Sequence, residues 1–294
     1  MPKNIDLHIH TCASSDGDMA PEAIIDNALA LGLCAISITD HNTTVGTIKA
    51  GKYMKKNAIA GLELISGIEI DCQHKGINLH LLGYYIDAHM APFGQHERYM
   101  YDIELAAGIE AKAKIERFFG ITLDAEKFTE ELITGEAIAE ELLRNPKYNH
   151  LTLLDPYREG GSRSDNPYVN FYWDYCSQNK VAYSEMALID LSGAIGMIES
   201  AGGIPVLAHP GINIHEDEEL LGQIVRAGIK GIEAISSYHT KEQVMFYREA
   251  AKKWGLAVTC GSDFHGKIKP AIKMGHFDAE FDGGALLTAL KSMV

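Results

Sequence analysis

Seven short apolar runs alternate along this chain with amphipathic helical patterns, and this alternation restricts the fold more than any other feature. The runs are rich in Ile, Val and Leu and are bounded by Gly, Asp or Pro, as is typical of strands covered on both faces. Strand–helix alternation with short connections predicts parallel β/α units that close like a barrel. The predicted strands are residues 4–9, 34–39, 64–71, 77–86, 204–208, 231–236 and 256–260.

The helical patterns between these runs carry start and stop signals. Pro21 and Glu22 open the first, because proline fits the first turn and an acid suits the positive end of a helix, and Gly32 ends it. The remaining barrel helices are predicted at residues 44–57, 191–201, 217–227, 240–254 and 284–293.

Residues 89–189 interrupt this rhythm. Two long helical stretches, 95–119 and 125–144, precede a polar, turn-rich span at 145–166. Long insertions of this kind commonly form active-site lids above a barrel mouth. We therefore predict a barrel formed by residues 1–88 and 190–294 and an inserted, mostly helical lid subdomain formed by residues 89–189.

Composition narrows the class of protein. A hydrophobic content of 46% and a net charge of −14 are those of a globular protein that does not favour nucleic acid or anionic membranes as partners. Bound divalent cations would, however, cancel several negative charges where a substrate sits. The chain has no apolar leader and no run of roughly 18 apolar residues, so we expect a cytoplasmic protein without membrane spans. Its five cysteines form no CxxC pair and are expected to be buried thiols.

Polar side chains stand in or just after the predicted strands, where no packing requirement explains them. If the strands are parallel, these side chains converge at one end of the barrel, where barrel enzymes keep their chemistry. Six imidazoles and three carboxylates are typical of a multinuclear metal hydrolase. The candidate metal ligands are His8, His10, Asp16, His41, Glu69, His80, His209, Asp263 and His265.

Local context supports some of these candidates more than others. Strand alternation puts His8 and His10 on one face, about 6–7 Å apart along the backbone, so that both can bind one ion. Asp6 points the same way and could orient a ligand histidine through its second ring nitrogen. Glu69 lies among apolar residues, where an unpaired charge is costly to bury and a cation would stabilise it. For His80 a core histidine with satisfied hydrogen bonds is the alternative, and for Asp16 ordinary turn chemistry is the alternative.

Further residues are candidates for proton transfer and for substrate binding. Asp40 or His239 could donate a proton to the leaving group, and His239 is equally a candidate substrate contact or a surface residue that opens a helix. Guanidinium groups suit oxyanion binding, although a solvated loop arginine is the commoner outcome. The predicted substrate contacts are Arg158, Arg163, Lys180, Ser237 and His239. Aromatic residues at 168–173 could stack on a nucleobase or form the core of the insertion.

The motifs, taken in order, resemble the polymerase and histidinol phosphatase (PHP) superfamily of the wider amidohydrolase group. They are the HxH opening at 8–10, Ser-Asp-Gly at 15–17, Thr-Asp-His at 39–41, Gly-Ile-Glu at 67–69, the lone His80, Ala-His-Pro-Gly at 208–211 and Gly-Ser-Asp-Phe-His-Gly at 261–266. The likeness is greatest to the small stand-alone phosphoesterases. It implies an α/β fold with a distorted seven-stranded, TIM-like barrel, and two or three Mn, Fe, Zn or Mg ions.

The resemblance also implies which ligands each ion takes. One ion would take His8, His10, Glu69 and Asp263; a second would share Glu69 and take His80 and His209; a third would take Asp16, His41 and His265. The stretch between His10 and Asp16 is one residue longer than the commonest family pattern, which makes Asp16 the least secure of these assignments.

These expectations lead to a functional hypothesis. A metal-activated hydroxide would attack phosphorus in a small phosphate ester, such as a nucleotide, a sugar phosphate or a cyclic phosphodiester. The expected partner is a small phosphorylated metabolite. The alternatives are an exonuclease that trims RNA ends and a non-catalytic metal-binding module; hydrolysis of a carbon ester or an amide is a further enzymatic option.

Overall fold

A computed structural model describes residues 4–124, 128 and 132–293 of the chain. The chain divides into two compact units: residues 1–97, 188–264 and 272–294 form the first, and residues 98–187 and 265–271 form the second. The predicted insertion began nine residues before the second unit does. The earlier residues belong with the first unit because Phe93, close to the start of the long helix, is buried in the core of that unit.

The first unit is built on a curved sheet whose strands follow the order β1-β2-β3-β4-β6-β7-β8, with β5 pairing beside β3. A parallel bridge between Ile9 and Phe264 links the two ends of this order. The result is a nearly closed barrel of seven strands, which confirms the predicted fold class. The strands are β1 (Ile5–Ile9), β2 (Ala35–Ile38), β3 (Glu63–His74), β4 (Ile77–Tyr84), β5 (Ile189–Asp190), β6 (Ile204–Leu207), β7 (Gly231–Ser236) and β8 (Ala257–Gly261).

The prediction of uniformly parallel strands was wrong for β4, which pairs antiparallel with both β3 and β6. Lys75 and Gly76 form the whole connection from β3 to β4, and both have positive φ, +52° and +80°. A two-residue turn of this kind makes a hairpin, whereas a parallel crossover needs a dozen or more residues. His80 therefore lies within its strand, directly opposite Asp71, rather than at a carboxyl end.

The helices of the first unit follow the predicted pattern to within one or two residues at most ends. Thr240 and Gln243 form a reciprocal capping box at the start of α9, and Gly255 ends that helix with a φ of +66°. The α-helices among the described residues are α1 (Pro21–Ala30), α2 (Val45–Lys56), α3 (Ala91–Phe119), α4 (Gly135–Arg144), α5 (Pro167–Phe171), α6 (Leu191–Ser200), α7 (Pro210–Asn213), α8 (Glu218–Ala227), α9 (Lys241–Trp254) and α10 (Gly283–Lys291).

The second unit has a separate aromatic core. Phe171 is fully buried there, with its ring 4.7 Å from that of Tyr175, so it is unavailable to stack on a nucleobase. Within the predicted helix at 125–144 the described residues include α4, and residues 125–127 and 129–131 lie outside the described residues. Short 3-10 turns (Pro146–Tyr148 and Thr152–Tyr157) fill the span predicted as turn-rich. Within the described part of the chain, every helix is too short or too polar to cross a bilayer.

Candidate metal centre

One fully buried carboxylate, Glu69 of β3, lies at the centre of the predicted ligand set. Five imidazoles from four segments of the first unit surround its two oxygens. The distances to Glu69 Oε2 are 3.1 Å from His8 Nε2, 3.2 Å from His10 Nε2 and 3.4 Å from His41 Nδ1, and those to Oε1 are 3.1 Å from His80 Nδ1 and 3.3 Å from His209 Nε2. The barrel thus brings together side chains that are up to 201 residues apart in the sequence.

Local backbone geometry directs these side chains to the same place. His8 and His10 alternate on β1, and a parallel bridge joins His41 to Glu69 just beyond the end of β2. Asp263 follows β8 with a φ of +58°, a left-handed conformation that non-glycine residues seldom adopt. Such conformations persist where the surrounding structure enforces them, and they are concentrated at functional sites.

The distances within one group of four ligands fit a metal ion. His8 Nε2 and His10 Nε2 lie 3.1 Å apart, and Asp263 Oδ1 lies 3.2 Å from the first and 3.0 Å from the second. Ligand atoms that surround an ion at about 2.1 Å are separated from one another by roughly 3.0 to 3.4 Å. Glu69 Oε2 completes the group, and the mixture of imidazole and carboxylate suits Mn, Fe or Zn.

Two further groups of ligand atoms overlap with this one. In each group the ligand atoms lie within 4.8 Å of one another; one contains His41, Glu69 and His80, and the other contains His10, Asp16, His41 and His265. His209 contacts the same Glu69 oxygen as His80 does. All nine predicted ligands therefore lie at this centre, and His10, His41 and Glu69 each take part in two groups. The assignment of ligands to individual ions stays a prediction.

Electrostatics within the centre favour ionised side chains. Burial would raise the pKa of Glu69, but His8, His41 and His80 together hold it well below its usual range. Burial would lower the pKa of His8, yet Glu69, Glu233 and Asp263 raise it well above the ordinary value. The pKa of His41 is raised in the same way by Glu69 and neighbouring carboxylates. These groups are therefore poised to exchange protons for cations.

Three residues that sequence reasoning missed also contact this centre. Asp71 lies opposite His80, with its Oδ1 3.1 Å from His41 Nδ1, and these two imidazoles lower its pKa to about 2 against the effect of burial. Tyr238 donates a hydrogen bond to Asp263 Oδ2. Glu233 accepts from His8 Nδ1 at 3.0 Å. Like Glu69, Glu233 is an acid within an apolar strand, and that signal would have identified it.

Asp6 does not have the role that strand alternation indicated for it. The expectation was that its carboxylate would orient a ligand histidine through the second ring nitrogen. Instead it accepts hydrogen bonds from the Ser262 side chain at 2.6 Å, the Ser262 N–H at 2.9 Å and the Gly275 N–H at 2.7 Å. Asp6 therefore ties β1 to the segments that follow β8, and Glu233 takes the position beside the His8 ring.

The two predicted proton donors are engaged in structural hydrogen bonds. Asp40 is buried and accepts from the Thr11 N–H at 2.6 Å and the Thr11 hydroxyl at 2.9 Å. His239 lies 3.0 Å from the Ala234 carbonyl through Nδ1, and its Nε2 accepts from the Gly211 N–H at 3.0 Å. Both ring nitrogens of His239 are thus occupied, which favours a positioning role. Proton donation by Asp40 or His239 stays a prediction.

The predicted substrate contacts outside the barrel lie in the second unit. Arg163 forms a two-point ion pair with Asp174, with distances of 3.0 and 2.9 Å, and Arg158 pairs with Asp155. Lys180 is exposed, as is Ser237, which follows β7 in the first unit. Contacts of these residues with a phosphate stay predictions.

Comparison with known proteins agrees with this geometry. The sequence pattern of the PHP domain matches residues 6–233, a span that contains Glu69 and all five imidazoles around it. The chain belongs to the PHP domain family. This membership confirms the resemblance seen in the sequence motifs.

Relatives within the PHP family differ in their named substrates. A 5'-3' exoribonuclease of Haemophilus influenzae is 27% identical over 90% of this chain and 91% of its own length. A 3',5'-nucleoside bisphosphate phosphatase of Chromobacterium violaceum is 27% identical over 93% and 91%. A phosphoribosyl 1,2-cyclic phosphate 1,2-diphosphodiesterase of Eggerthella lenta is 26% identical over 90% and 94%.

A solved structure supports the fold over nearly the whole chain. An amidohydrolase from Chromobacterium violaceum, determined with bound SO4 and no metal, has a TM-score of 0.76 to this protein. It is 25% identical, and the match covers 97% of this chain and 96% of that one. The match therefore extends over both compact units of this protein.

Proposed function

We propose that this protein is a metal-dependent phosphoesterase that hydrolyses small phosphate esters at the centre around Glu69. The activities named for the three relatives described above are hydrolyses of phosphoric esters, which confirms the predicted reaction class. The observation that carries the proposal is the convergence of five imidazoles on one buried carboxylate. A carboxylate that needed only hydrogen bonds would not require five imidazoles around it, whereas a cluster of metal ions would.

We infer that two or three divalent ions, Mn, Fe, Zn or Mg, occupy the overlapping ligand groups. Such ions acidify bound water and neutralise charge that develops on phosphoryl oxygens. Glu69 would keep neighbouring ions close together, because its two oxygens face different imidazoles. Tyr238 would keep one oxygen of Asp263 engaged, so that the other remains directed towards His8 and His10.

The side chains towards the open part of the centre would bind and orient the ester. His80 is 30% exposed, whereas His8 and His10 are fully buried, so a substrate would approach from the side of His80. His41 and Asp16 are 13% and 14% exposed and lie on the same accessible side. Proton donation to the leaving group by Asp40 or His239 stays a prediction; because both ring nitrogens of His239 form hydrogen bonds, we favour a positioning role for His239.

We propose a small phosphorylated metabolite as the substrate: a nucleotide, a sugar phosphate or a cyclic phosphodiester. The net charge of −14 disfavours a long polyanion, because nucleic acid binding depends on neutralising phosphates with cationic side chains. The second candidate is trimming of RNA ends, favoured by the similarity to the Haemophilus influenzae exoribonuclease.

The test is a comparison of substrates with metal-loaded protein. The protein is purified with Mn(II), its bound metal is measured, and it is assayed on p-nitrophenyl phosphate, bis-p-nitrophenyl phosphate, a nucleotide panel and a 5'-phosphorylated oligoribonucleotide. We expect turnover of a small ester that exceeds the rate of oligonucleotide shortening. Faster shortening of the oligonucleotide would favour the exonuclease, and bound metal without any turnover would reject an enzymatic role.

A further inference from the structure

Glu233 of β7 lies behind the metal centre and touches two ligand histidines at once. Its Oε1 lies 3.0 Å from His8 Nδ1, and its Oε2 accepts the backbone N–H of His209 at 2.8 Å. Glu233 is fully buried, and so is His8. On their opposite sides both histidines contact Glu69, His8 through Oε2 and His209 through Oε1. The rings of His8 and His209 stack on each other with centroids 5.6 Å apart.

The fit around Glu233 is tight. Any side chain at Gly261 would place its Cβ 2.1 Å from Glu233 Oε1 and 2.1 Å from the Cβ of His8, so glycine is required for the close approach of β8. Glu233 therefore has little freedom to turn away from the His8 ring. A buried group held this firmly imposes its hydrogen-bonding pattern on its neighbours.

That pattern determines which nitrogen of His8 carries a proton. A carboxylate only accepts hydrogen bonds, so Nδ1 of a neutral His8 must hold the proton that it donates to Glu233. The lone pair of Nε2 is then free, and Nε2 is the atom that lies 3.1 Å from Glu69 and 3.2 Å from Asp263. Carboxylates that bind the second nitrogen of a ligand histidine fix its tautomer and its ring orientation.

We propose that Glu233 is a positioning residue that sets the tautomer of His8 and holds His8 and His209 in fixed relative positions as metal ligands. Glu233 and Glu69 contact the same two histidines. Glu69 contacts the ring nitrogens that face the metal centre, whereas Glu233 contacts His8 Nδ1 and the backbone N–H of His209. The role rests on the metal-binding function of the centre and not on the identity of the substrate.

The variant Glu233→Gln tests this role because an amide reverses one hydrogen bond. The N–H of His209 can only donate, so the amide oxygen must face it, and the amide NH2 must then face His8 Nδ1. His8 would have to accept at Nδ1 and carry its proton on Nε2, where it blocks metal binding. We expect the affinity for Zn(II), measured by competition with a chromophoric chelator, to fall about 10- to 100-fold.

The matched control is Asp6→Asn, which neutralises a buried carboxylate of β1 that accepts the backbone N–H of His8 at 3.3 Å but contacts no ligand ring. Its melting temperature is expected to fall because the amide faces several donors, while its Zn(II) affinity stays within about threefold of that of the parent protein. A Glu233→Gln protein with the metal affinity of the parent would overturn the proposal. Equal losses of affinity in both variants would also overturn it, since a general effect of charge removal would then suffice.

A second measurement needs no variant and therefore stands even if Glu233→Gln does not fold. Long-range ¹H–¹⁵N spectra of the Zn(II)-loaded protein report which nitrogen of each histidine carries a proton. We expect His8 to show a protonated Nδ1 and a metal-bound Nε2. The opposite pattern would overturn the proposal. Neither measurement uses substrate, so failure of the proposed phosphoesterase activity would be seen separately, as metal binding without turnover.

Discussion

Charged side chains serve opposite purposes in the barrel and in the second unit. In the second unit Arg163 and Asp174 form a one-to-one pair whose side chains are 36% and 37% exposed, which is a structural clamp. In the barrel, five imidazoles share one fully buried carboxylate, Glu69. In the Arg163–Asp174 pair each charge is neutralised by its partner. At Glu69 the number of imidazoles exceeds what is needed to neutralise one carboxylate. Convergence of many ligands, rather than the presence of charge, distinguishes a site from a clamp.

The largest effect is expected when one ligand of the metal centre is removed. His10→Ala deletes an imidazole whose Nε2 contacts both Glu69 and Asp263. We expect at least one bound ion to be lost and kcat/KM to fall by roughly 10³-fold or more, which corresponds to about 4 kcal/mol of transition-state stabilisation. Metal analysis and steady-state kinetics measure the two effects.

The control is His89→Ala, which removes an exposed histidine from the same unit. Its metal content and its kinetics should match those of the parent protein. Parental turnover by His10→Ala after thorough chelation and reloading would contradict the proposed centre.

Acidity provides a second test, because the pKa values of His8 and His41 are raised well above their ordinary value. In the metal-free protein both imidazoles therefore hold their protons to a higher pH than a free histidine does, and ions compete with those protons. Metal affinity should therefore weaken on acidification by about tenfold per pH unit for each proton displaced. Calorimetric titrations in buffers of different ionisation enthalpy count the protons released; an affinity independent of pH would exclude this exchange.

The same shifts predict opposite stability profiles for the two forms. A raised histidine pKa stabilises the metal-free fold below the ordinary value of about 6.5, and this contribution is lost as pH rises through the folded pKa. The lowered pKa of Glu69 stabilises above about 4.5 and is lost only in stronger acid. The melting temperature of the metal-free protein should therefore decline from pH 6 to 9, while that of the metal-loaded protein should rise.

A variant of His239 distinguishes a positioning role of this residue from a role as proton donor. The variant His239→Gln removes the two hydrogen bonds that the ring makes with Ala234 and Gly211. Since both nitrogens are occupied, we expect a lower melting temperature, a decrease in kcat of less than about tenfold and a pH profile of unchanged shape. A loss of 10²- to 10⁴-fold together with a missing limb in the pH profile would instead identify a proton donor.

The smallest effects are expected in the second unit. Arg163→Met should cost about 0.5–1 kcal/mol of stability, because the pair with Asp174 is partly exposed and screened by solvent. Its KM for a phosphate ester should stay unchanged. Asp174→Asn is the matched variant, since it breaks the same pair but keeps the guanidinium. A KM raised by Arg163→Met and not by Asp174→Asn would show that Arg163 contacts substrate. The second unit would then take part in substrate binding.

Much of the barrel could be predicted because its strands are short, apolar and bounded by turn residues. The ligand set followed from the same pattern, since polar residues such as Glu69 have no reason to stand in apolar strands unless something stabilises them. The antiparallel β4 was predictable too: only a few residues separate its strand from β3, too few for a parallel crossover. The short connection, and not the apolar pattern of the strand, determines the direction of β4.

Other features depended on contacts between distant segments. Strand alternation placed Asp6 on the face of His8, but hydrogen bonds to Ser262 and Gly275 claim its carboxylate. Conversely, Arg163 looked like an oxyanion contact, and Asp174 pairs with it across a turn. Residue type shows what a side chain is able to bind, and only the folded chain shows which partner lies next to it.

By itself the sequence determined the strand–helix alternation, the barrel class and the identity of the polar residues that interrupt its apolar runs, because these properties are local and periodic. Only the tertiary structure decided which of those residues share Glu69, that Glu233 lies behind His8 and His209, and that Asp71 faces His41. Those relations join segments separated by tens to hundreds of residues, and they arise from packing and strand register, which no local pattern records.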